Sequence, residues 1–95
     1  MAKSLGAANA DPGAVRQVVS DVINGILAET SRAIRVIADE DALVATIGFD
    51  SLDLAVMTVR LEQQFGNDPF REGKKPVRTF GELLAVYEQS LRGEM

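Results

Sequence analysis

The sequence contains no cysteine and no histidine, and these two absences exclude most catalytic chemistry. Without cysteine the chain has no disulfide, no thiolate nucleophile and no sulfur ligand for a metal. Without histidine it lacks the usual general base and the commonest ligand of transition metals. A serine hydrolase would need lysine or a carboxylate as its base, and no pattern near a serine indicates one. We therefore expect neither an enzyme nor a metal site, and a reactive serine would be activated by another protein.

Long apolar runs are also missing. No run approaches the length that spans a bilayer, about 20 residues, and the first ten residues hold a lysine but no sustained apolar region. We interpret residues 1–11 as a flexible leader rather than a signal peptide, residues 12–92 as one domain and residues 93–95 as a tail. The composition, 46% hydrophobic and 25% charged, is that of an ordinary globular protein. The expected location is the cytoplasm, without membrane insertion.

The charge is acidic overall and unevenly distributed. The net charge is −4, which opposes non-specific binding to nucleic acid. Residues 37–65 carry six acidic side chains and one basic one, whereas residues 70–78 carry four basic side chains and one acidic one. The centre of the chain is therefore acidic, and the segment after it is basic.

The spacing of apolar residues predicts two long amphipathic helices. The first begins at Pro12 and ends at Ala28 or Glu29. The second runs from Ser51 to about Phe65, and its apolar surface is broader than one core-facing stripe requires. Either this helix is buried on most sides, or part of its surface contacts a partner. One apolar stripe consists of Leu52, Ala55, Val56, Val59 and Gln63, and the residues that widen it are Leu54, Met57, Leu61 and Phe65.

A third helix is predicted after Thr79, whose hydroxyl forms a capping box with Glu82, and it should end at Gly93. We interpret residues 30–50 as a long connection with a turn or two of helix, its apolar residues packed over the core. Its Asp39-Glu40-Asp41 run lacks the glycine and distal glutamate of a calcium loop and is typical of a charged surface facing water. Residues 70–76 allow at most one helical turn. The predicted fold is all-α, a small bundle of three main helices with a short irregular third element.

The run Gly48-Phe49-Asp50-Ser51-Leu52-Asp53 predicts a loop that ends where a helix begins. Gly48 can turn the chain, and Asp50 or Ser51 can cap the helix that follows. The Ser51 hydroxyl would then lie at the positive end of the helix dipole, close to N–H groups without a partner inside the helix. Such a position suits a serine that carries a phosphate group. Taken alone, however, the pattern favours a simple helix cap, because caps are common and modified serines are rare.

The same run, together with a second motif, resembles the acyl carrier protein family, the phosphopantetheine-carrying domains of fatty-acid, polyketide and non-ribosomal peptide synthesis. Gly48-Phe49-Asp50-Ser51-Leu52-Asp53 is similar to the family's Gly-x-Asp-Ser-Leu-Asp motif. Leu61-Glu62-Gln63-Gln64-Phe65 is similar to the Leu-Glu-x-x-Phe end of its second helix. Val77-Arg78-Thr79-Phe80 resembles the start of its last helix, and Tyr87 the aromatic position there. The resemblance covers roughly residues 14–91.

This resemblance implies a carrier without catalytic activity of its own, folded as the family's four-helix bundle. Ser51 would carry 4′-phosphopantetheine, and Gly48, Asp50, Leu52 and Asp53 would form the motif around it. A separate Mg²⁺-dependent phosphopantetheinyl transferase would attach the arm from coenzyme A. The terminal thiol would then hold an acyl or aminoacyl group, loaded by a ligase, synthase or acyltransferase. The carrier would act as a monomer.

The chain departs from the fatty-acid carriers in its charges. Val56 and Gln63 stand where those carriers often have glutamate, and the basic residues of the 70–78 segment replace an acidic one. We therefore expect a specialised stand-alone carrier with partners of its own. The candidate docking residues are Val56, Met57, Arg60 and Glu62. Burial in the core is the alternative for Val56 and Met57.

Two other classes of protein remain as alternatives. One is a small α-helical interaction module without a prosthetic group, in which Ser51 only caps a helix. The other is a helix-turn-helix protein, since a basic stretch precedes the last helix. The outer face of that helix has almost no basic residues and the chain is acidic, which disfavours DNA binding.

Overall fold

The computed structural model describes residues 12–66, 68–70 and 77–91. They form three helices: α1 (Pro12–Glu29), α2 (Ser51–Phe65) and α3 (Phe80–Leu91). The prediction of an all-α fold is confirmed, and so are the starts of all three helices. Over these described ranges, no helix is long and apolar enough to cross a membrane.

The last turn of α1 closes with backbone hydrogen bonds that reverse the chain. The N–H of Arg32 donates to the carbonyl of Leu27 at 2.7 Å, and the N–H of Ser31 donates to the carbonyl of Ala28 at 3.2 Å. This pair of bonds is the Schellman motif, whose turning residue adopts a left-handed conformation. Here that residue is Ser31, with φ 63°. The motif fixes the direction in which the backbone leaves α1 at Arg32.

The capping box predicted at the start of α3 is present. The N–H of Glu82 donates to Thr79 Oγ1 at 3.2 Å, and Glu82 Oε1 accepts from the N–H of Thr79 at 3.4 Å and from the N–H of Arg78 at 2.7 Å. These backbone hydrogen bonds, first that of Arg78, lower the pKa of Glu82. The predicted end of the helix at Gly93 lies outside the described residues.

The core is built around α1, which packs against both α2 and α3. Burial of apolar side chains is the main favourable term in folding. On α2 the buried residues are Met57, Leu61 and Phe65, which were predicted only to widen the apolar stripe, whereas Leu52 and Val59 of the stripe itself are exposed. Helix α2 meets α3 through Phe65 and Tyr87, whose ring centroids are 5.3 Å apart. The buried apolar residues are Val15, Val19, Ile23, Ile26, Leu27, Ile37, Leu43, Ile47, Phe49, Met57, Leu61, Phe65, Phe80, Leu83, Leu84 and Tyr87.

The connection between α1 and α2 covers one end of this core. Residues 42–48 form the predicted helical turn: the N–H of Thr46 donates to the carbonyl of Ala42 at 3.0 Å, and that of Gly48 to the carbonyl of Val44 at 3.1 Å. The expectation that all apolar residues of this loop pack over the core is wrong for three of them. Ile34, Val36 and Val44 are exposed, because each lies on the outer side of an extended or turning backbone.

The same loop is attached to the start of α3. The N–H of Leu43 donates to the carbonyl of Arg78 and the N–H of Gly81 to that of Asp39, each at 2.9 Å. A Cβ atom on Gly81 would lie 3.1 Å from the Asp39 carbonyl oxygen, so glycine permits this close approach. The prediction of a water-facing acidic run is confirmed for Asp39 and Glu40, which are exposed, whereas Asp41 is half-buried. Asp39 forms an ion pair with Arg16 at 2.7 Å, and Asp41 accepts from the N–H of Ala38 at 2.9 Å.

The short element predicted over residues 70–76 falls mostly outside the described residues, since 71–76 are not described. The stop after α2 is visible up to Gly66, whose φ of 82° and N–H bond to the Glu62 carbonyl at 2.7 Å cap the helix. Phe70 then packs edge-on against Tyr87, with centroids 5.9 Å apart. A four-helix bundle is thus not confirmed, because the described ranges contain three helices.

Candidate functional site

Ser51 is exposed and is the first residue of α2. Asp50 is the N-cap: its Oδ1 accepts from the N–H of Asp53 at 2.9 Å, while Asp53 Oδ2 accepts from the N–H of Asp50 at 3.0 Å. This reciprocal box satisfies one of the orphan N–H groups of the helix start. The N–H groups of Ser51 and Leu52 also have no acceptor four residues back within the helix. The candidate serine therefore lies at the positive end of the helix dipole.

Asp53 is the buried member of this box, with its side chain 9% exposed. Its Oδ2 lies 2.9 Å from Nη2 of the Arg32 guanidinium, which neutralises the carboxylate. The N–H of Asp50, and after it the Arg32 guanidinium, hold the pKa of Asp53 below its ordinary value, although burial works in the opposite direction. At neutral pH the carboxylate is ionised and can complete the cap. It is not an exposed charge that a partner could reach.

The two residues before the cap are fixed from the core side. Phe49 is 1% exposed, and its N–H donates to the carbonyl of Leu43 at 2.9 Å. Gly48 has a φ of 91°, a left-handed conformation that glycine adopts without a steric penalty. Its carbonyl accepts a 2.8 Å hydrogen bond from Arg32 Nη1. The backbone that leads to Ser51 is thus anchored, while Ser51 itself remains open to solvent.

Helix α2 has two apolar faces, and only one of them enters the core. The inner face consists of Asp53, Met57, Leu61 and Phe65. The outer face is the stripe that begins at Leu52, which is 71% exposed, and continues through Val59, which is 53% exposed. The helix is therefore not buried on most sides, because one apolar stripe faces solvent. We call this stripe the outer face of α2; its residues are Leu52, Ala55, Val56, Val59 and Gln63.

The four candidate docking residues are placed differently. Met57 is 2% exposed and belongs to the core, so we correct its proposed docking role: its side chain points inward, one turn after Asp53. Val56 and Glu62 are half-buried on the surface of α2. Arg60 is held by Glu29 of α1 through two hydrogen bonds of 2.9 and 2.7 Å. This contact lowers the pKa of Glu29 and leaves little free positive charge on Arg60.

An apolar cleft of about 150 Å³ lies beside α2, between the connecting loop, α2 and the approach to α3. The inner face of α2 contributes Met57 to this cleft, and Leu54 and Thr58 flank it on the same helix. The remaining described lining residues are Leu43, Phe70, Val77 and Leu83. Its apolar walls suit an apolar group and offer few hydrogen-bonding partners.

Sequence reasoning located the helix start and Ser51 but missed Arg32. This arginine lies 16 residues before Gly48 and 21 before Asp53, and no motif or periodicity links positions so far apart in the chain. Only the reversal of the backbone after α1 brings it to the motif. Sequence reasoning also counted Asp53 only as one of the acidic residues in the centre of the chain, whereas the structure shows it buried and paired with Arg32.

Comparison with known proteins identifies the class to which this fold and site belong. The family model described as "Phosphopantetheine attachment site" matches residues 14–68, more than half of the 95-residue chain. The chain belongs to this phosphopantetheine-binding carrier family, whose members bear covalent 4′-phosphopantetheine and are carriers rather than catalysts. Comparisons with curated proteins and with solved structures found no match.

The residues at the start of α2 fit such a group. A phosphodiester on a serine needs an exposed hydroxyl, and it is stabilised by N–H donors and by the positive end of a helix dipole. Ser51 is exposed and lies at the amino end of α2, where both are present. The matched segment contains two other serines, Ser20 and Ser31. Ser20 lies in the middle of α1 and Ser31 follows its carboxyl end, where the dipole disfavours a phosphate.

Proposed function

We propose that Ser51 is the residue to which 4′-phosphopantetheine is attached and that the chain is an acyl or aminoacyl carrier protein. The observation that carries this proposal is the exposure of Ser51 at the amino end of α2, within the segment that the family model matches. The family membership favours this function over an interaction module without a prosthetic group. The absence of histidine and cysteine agrees with a chain that is modified by another enzyme.

The proposed modification is a phosphoryl transfer catalysed by a phosphopantetheinyl transferase. Ser51 Oγ forms a bond to the phosphorus that bears the pantetheine arm in coenzyme A. The phosphoanhydride bond breaks, 3′,5′-ADP leaves, and the serine proton passes to a base of the transferase. The contribution of this chain is to present the hydroxyl and to place the N–H groups of Ser51 and Leu52 beside the new phosphodiester.

Once attached, the arm supplies a thiol that holds the cargo as a thioester. The residues of this chain then act as a support: the capping box and the buried Phe49 keep the attachment point at a fixed place on the surface. We propose that the apolar end of an acyl cargo lies in the cleft between Leu43, Leu54 and Met57. The cargo belongs to fatty-acid, polyketide or other specialised biosynthesis.

We also propose that the outer face of α2 contacts the enzymes that modify, load and unload the arm. The face starts at Leu52, next to Ser51. The charged residues near it add little free charge, because Asp53 is buried against Arg32 and Arg60 is paired with Glu29. Its partners would therefore be a transferase and a ligase, synthase or acyltransferase with apolar contact surfaces. Val56 is a member of this face and Glu62 lies beside it, and both belong to the proposed contact.

Intact-mass measurement tests the attachment site. The purified chain is incubated with coenzyme A, Mg²⁺ and a broad-specificity phosphopantetheinyl transferase. We expect one phosphopantetheine adduct on the wild type and none on Ser51→Ala. The matched control is Ser31→Gly, which removes another exposed serine and suits the left-handed backbone there.

The control variant should be modified as fully as the wild type. An adduct that persists in Ser51→Ala would place the attachment at another residue. No adduct on the wild type with several transferases would contradict the proposal as a whole.

A further inference from the structure

One arginine outside the motif contacts three of its residues, Gly48, Phe49 and Asp53. Arg32 Nη2 lies 2.9 Å from Asp53 Oδ2, and Arg32 Nη1 donates to the Gly48 carbonyl at 2.8 Å. Its Nε donates to Thr30 Oγ1 at 2.8 Å, and its guanidinium carbon lies 5.6 Å from the centroid of the Phe49 ring. The side chain thus spans from the end of α1 to both sides of Ser51.

The α1 end of this bridge is rigid. The Arg32 N–H closes the Schellman motif, so its backbone is fixed to α1. Thr30 Oγ1, which accepts from Arg32, donates in turn to the carbonyl of Ile26 at 2.8 Å. A guanidinium is planar and offers donors in a fixed fork, so it can bind two acceptors at once with defined geometry. Arg32 therefore transmits the position of α1 to the motif.

The two motif residues that the terminal nitrogens of Arg32 contact lie on either side of Ser51 in the chain. Gly48 precedes Ser51 by three residues, and Asp53 follows it by two. Asp53 is the one buried charged side chain among the described residues, and Arg32 is its cationic partner. Without Arg32 the carboxylate would be left partly desolvated and unpaired, which weakens the box that starts α2.

We propose that Arg32 is a positioning residue for the modification of Ser51, holding the serine hydroxyl in the orientation that the transferase requires. The proposal rests on the proposed function of Ser51. The two terminal guanidinium nitrogens contact Asp53 and Gly48, and the proposed action of Arg32 is through these two residues. Nothing in the sequence motif assigns a role to this residue.

Steady-state kinetics with the phosphopantetheinyl transferase test the proposal on Arg32→Ala. We expect kcat at saturating carrier to fall about tenfold, because a displaced serine hydroxyl is poorly aligned with the phosphorus in the transition state. A purely structural defect has a different signature: an unfolded fraction raises the apparent KM for the carrier and leaves kcat unchanged. Arg32→Lys is the second variant, since it keeps a cation beside Asp53 but cannot reproduce the fork to Gly48.

Arg16→Ala is the matched control. Arg16 forms the same pair of contacts elsewhere, an ion pair with Asp39 at 2.7 Å and a guanidinium 5.6 Å from the Phe80 ring centroid. We expect its kcat to equal that of the wild type. Equal kcat for the wild type, Arg32→Ala and Arg32→Lys would overturn the positioning role, as would an equal loss in Arg16→Ala. A wild type that takes no adduct contradicts the proposed function instead, so the two failures are distinguishable.

Discussion

At the scale of single residues, two buried polar groups among the described residues differ in their pairing. Asp53 is buried and fully engaged, by Asp50 and Arg32. Tyr87 is also buried, but its hydroxyl has no hydrogen-bond partner among the described residues. Because burial disfavours the phenolate, the pKa of Tyr87 is raised above its ordinary value. The ring packs against the rings of Phe65 and Phe70.

We expect Tyr87→Phe to raise the free energy of unfolding by about 1 kcal/mol, because it removes a buried donor that has lost its water partners. Urea denaturation followed by circular dichroism measures this change. The control is Tyr87→Leu, which also removes the ring and its aromatic contacts and should destabilise the fold. A clear loss of stability in Tyr87→Phe would show that the hydroxyl is hydrogen-bonded in solution.

At the scale of elements, α2 divides its apolar residues between the core and the surface. Met57 and Leu61 are buried, whereas Leu52 and Val59 on the outer face are not. Exposed apolar residues that lie singly need no explanation, but this stripe runs along one helix from Leu52, next to Ser51, and we propose that it contacts a partner. This division also explains why the apolar pattern of α2 was broader than a single face.

Val59→Glu tests whether the outer face of α2 is a docking surface. The side chain is 53% exposed, so we expect the free energy of unfolding to change by no more than about 0.5 kcal/mol. Transfer of phosphopantetheine to Ser51 should slow, through a higher KM for the carrier, since a charge now faces an apolar partner surface. Val36→Glu makes the same change at a side chain that is 94% exposed in the connecting loop. Equal KM values for both variants would argue against docking at this face.

At the scale of the whole molecule, three carboxylates with lowered pKa values stabilise the junctions between elements. Arg60 of α2 lowers the pKa of Glu29 on α1, chiefly through their hydrogen bonds. Backbone N–H groups lower the pKa of Asp53 at the start of α2 and that of Glu82 at the start of α3. Each group binds its proton at higher pH in the unfolded chain than in the folded one. Their stabilising contribution is thus present above the ordinary pKa of a carboxyl group, about 4, and is lost as the pH falls below it.

We therefore expect the urea midpoint to be highest between about pH 5 and 9 and to fall on both sides. The acid limb arises from these carboxylates. The alkaline limb begins near pH 10, because the unfolded chain ionises its tyrosine there while folded Tyr87 stays neutral. Urea denaturation from pH 2 to 11 measures the profile. Asp53→Asn should flatten the acid limb and Tyr87→Phe the alkaline one, and a midpoint unchanged between pH 5 and 3 would contradict the account.

The sequence by itself determined the features that depend on neighbouring residues. Apolar spacing and capping residues placed the three helices and the exposed serine at the start of α2, because these signals act within one or two turns. The motif from Gly48 to Asp53 and its spacing to Leu61-Glu62-Gln63-Gln64-Phe65 indicated the carrier family. The family match over residues 14–68 confirms that interpretation.

Only the tertiary structure decided which residues far apart in sequence meet. It placed Met57 in the core and left Val59 outside, although both are apolar residues of one helix, because the direction of α1 and the loop sets the buried side. It brought Arg32 to Gly48 and Asp53, so that the Asp53 carboxylate is buried in an ion pair. The turn after α1 is local, but which residues of the later loop and of α2 meet Arg32 depends on how the whole chain packs, which no local pattern encodes.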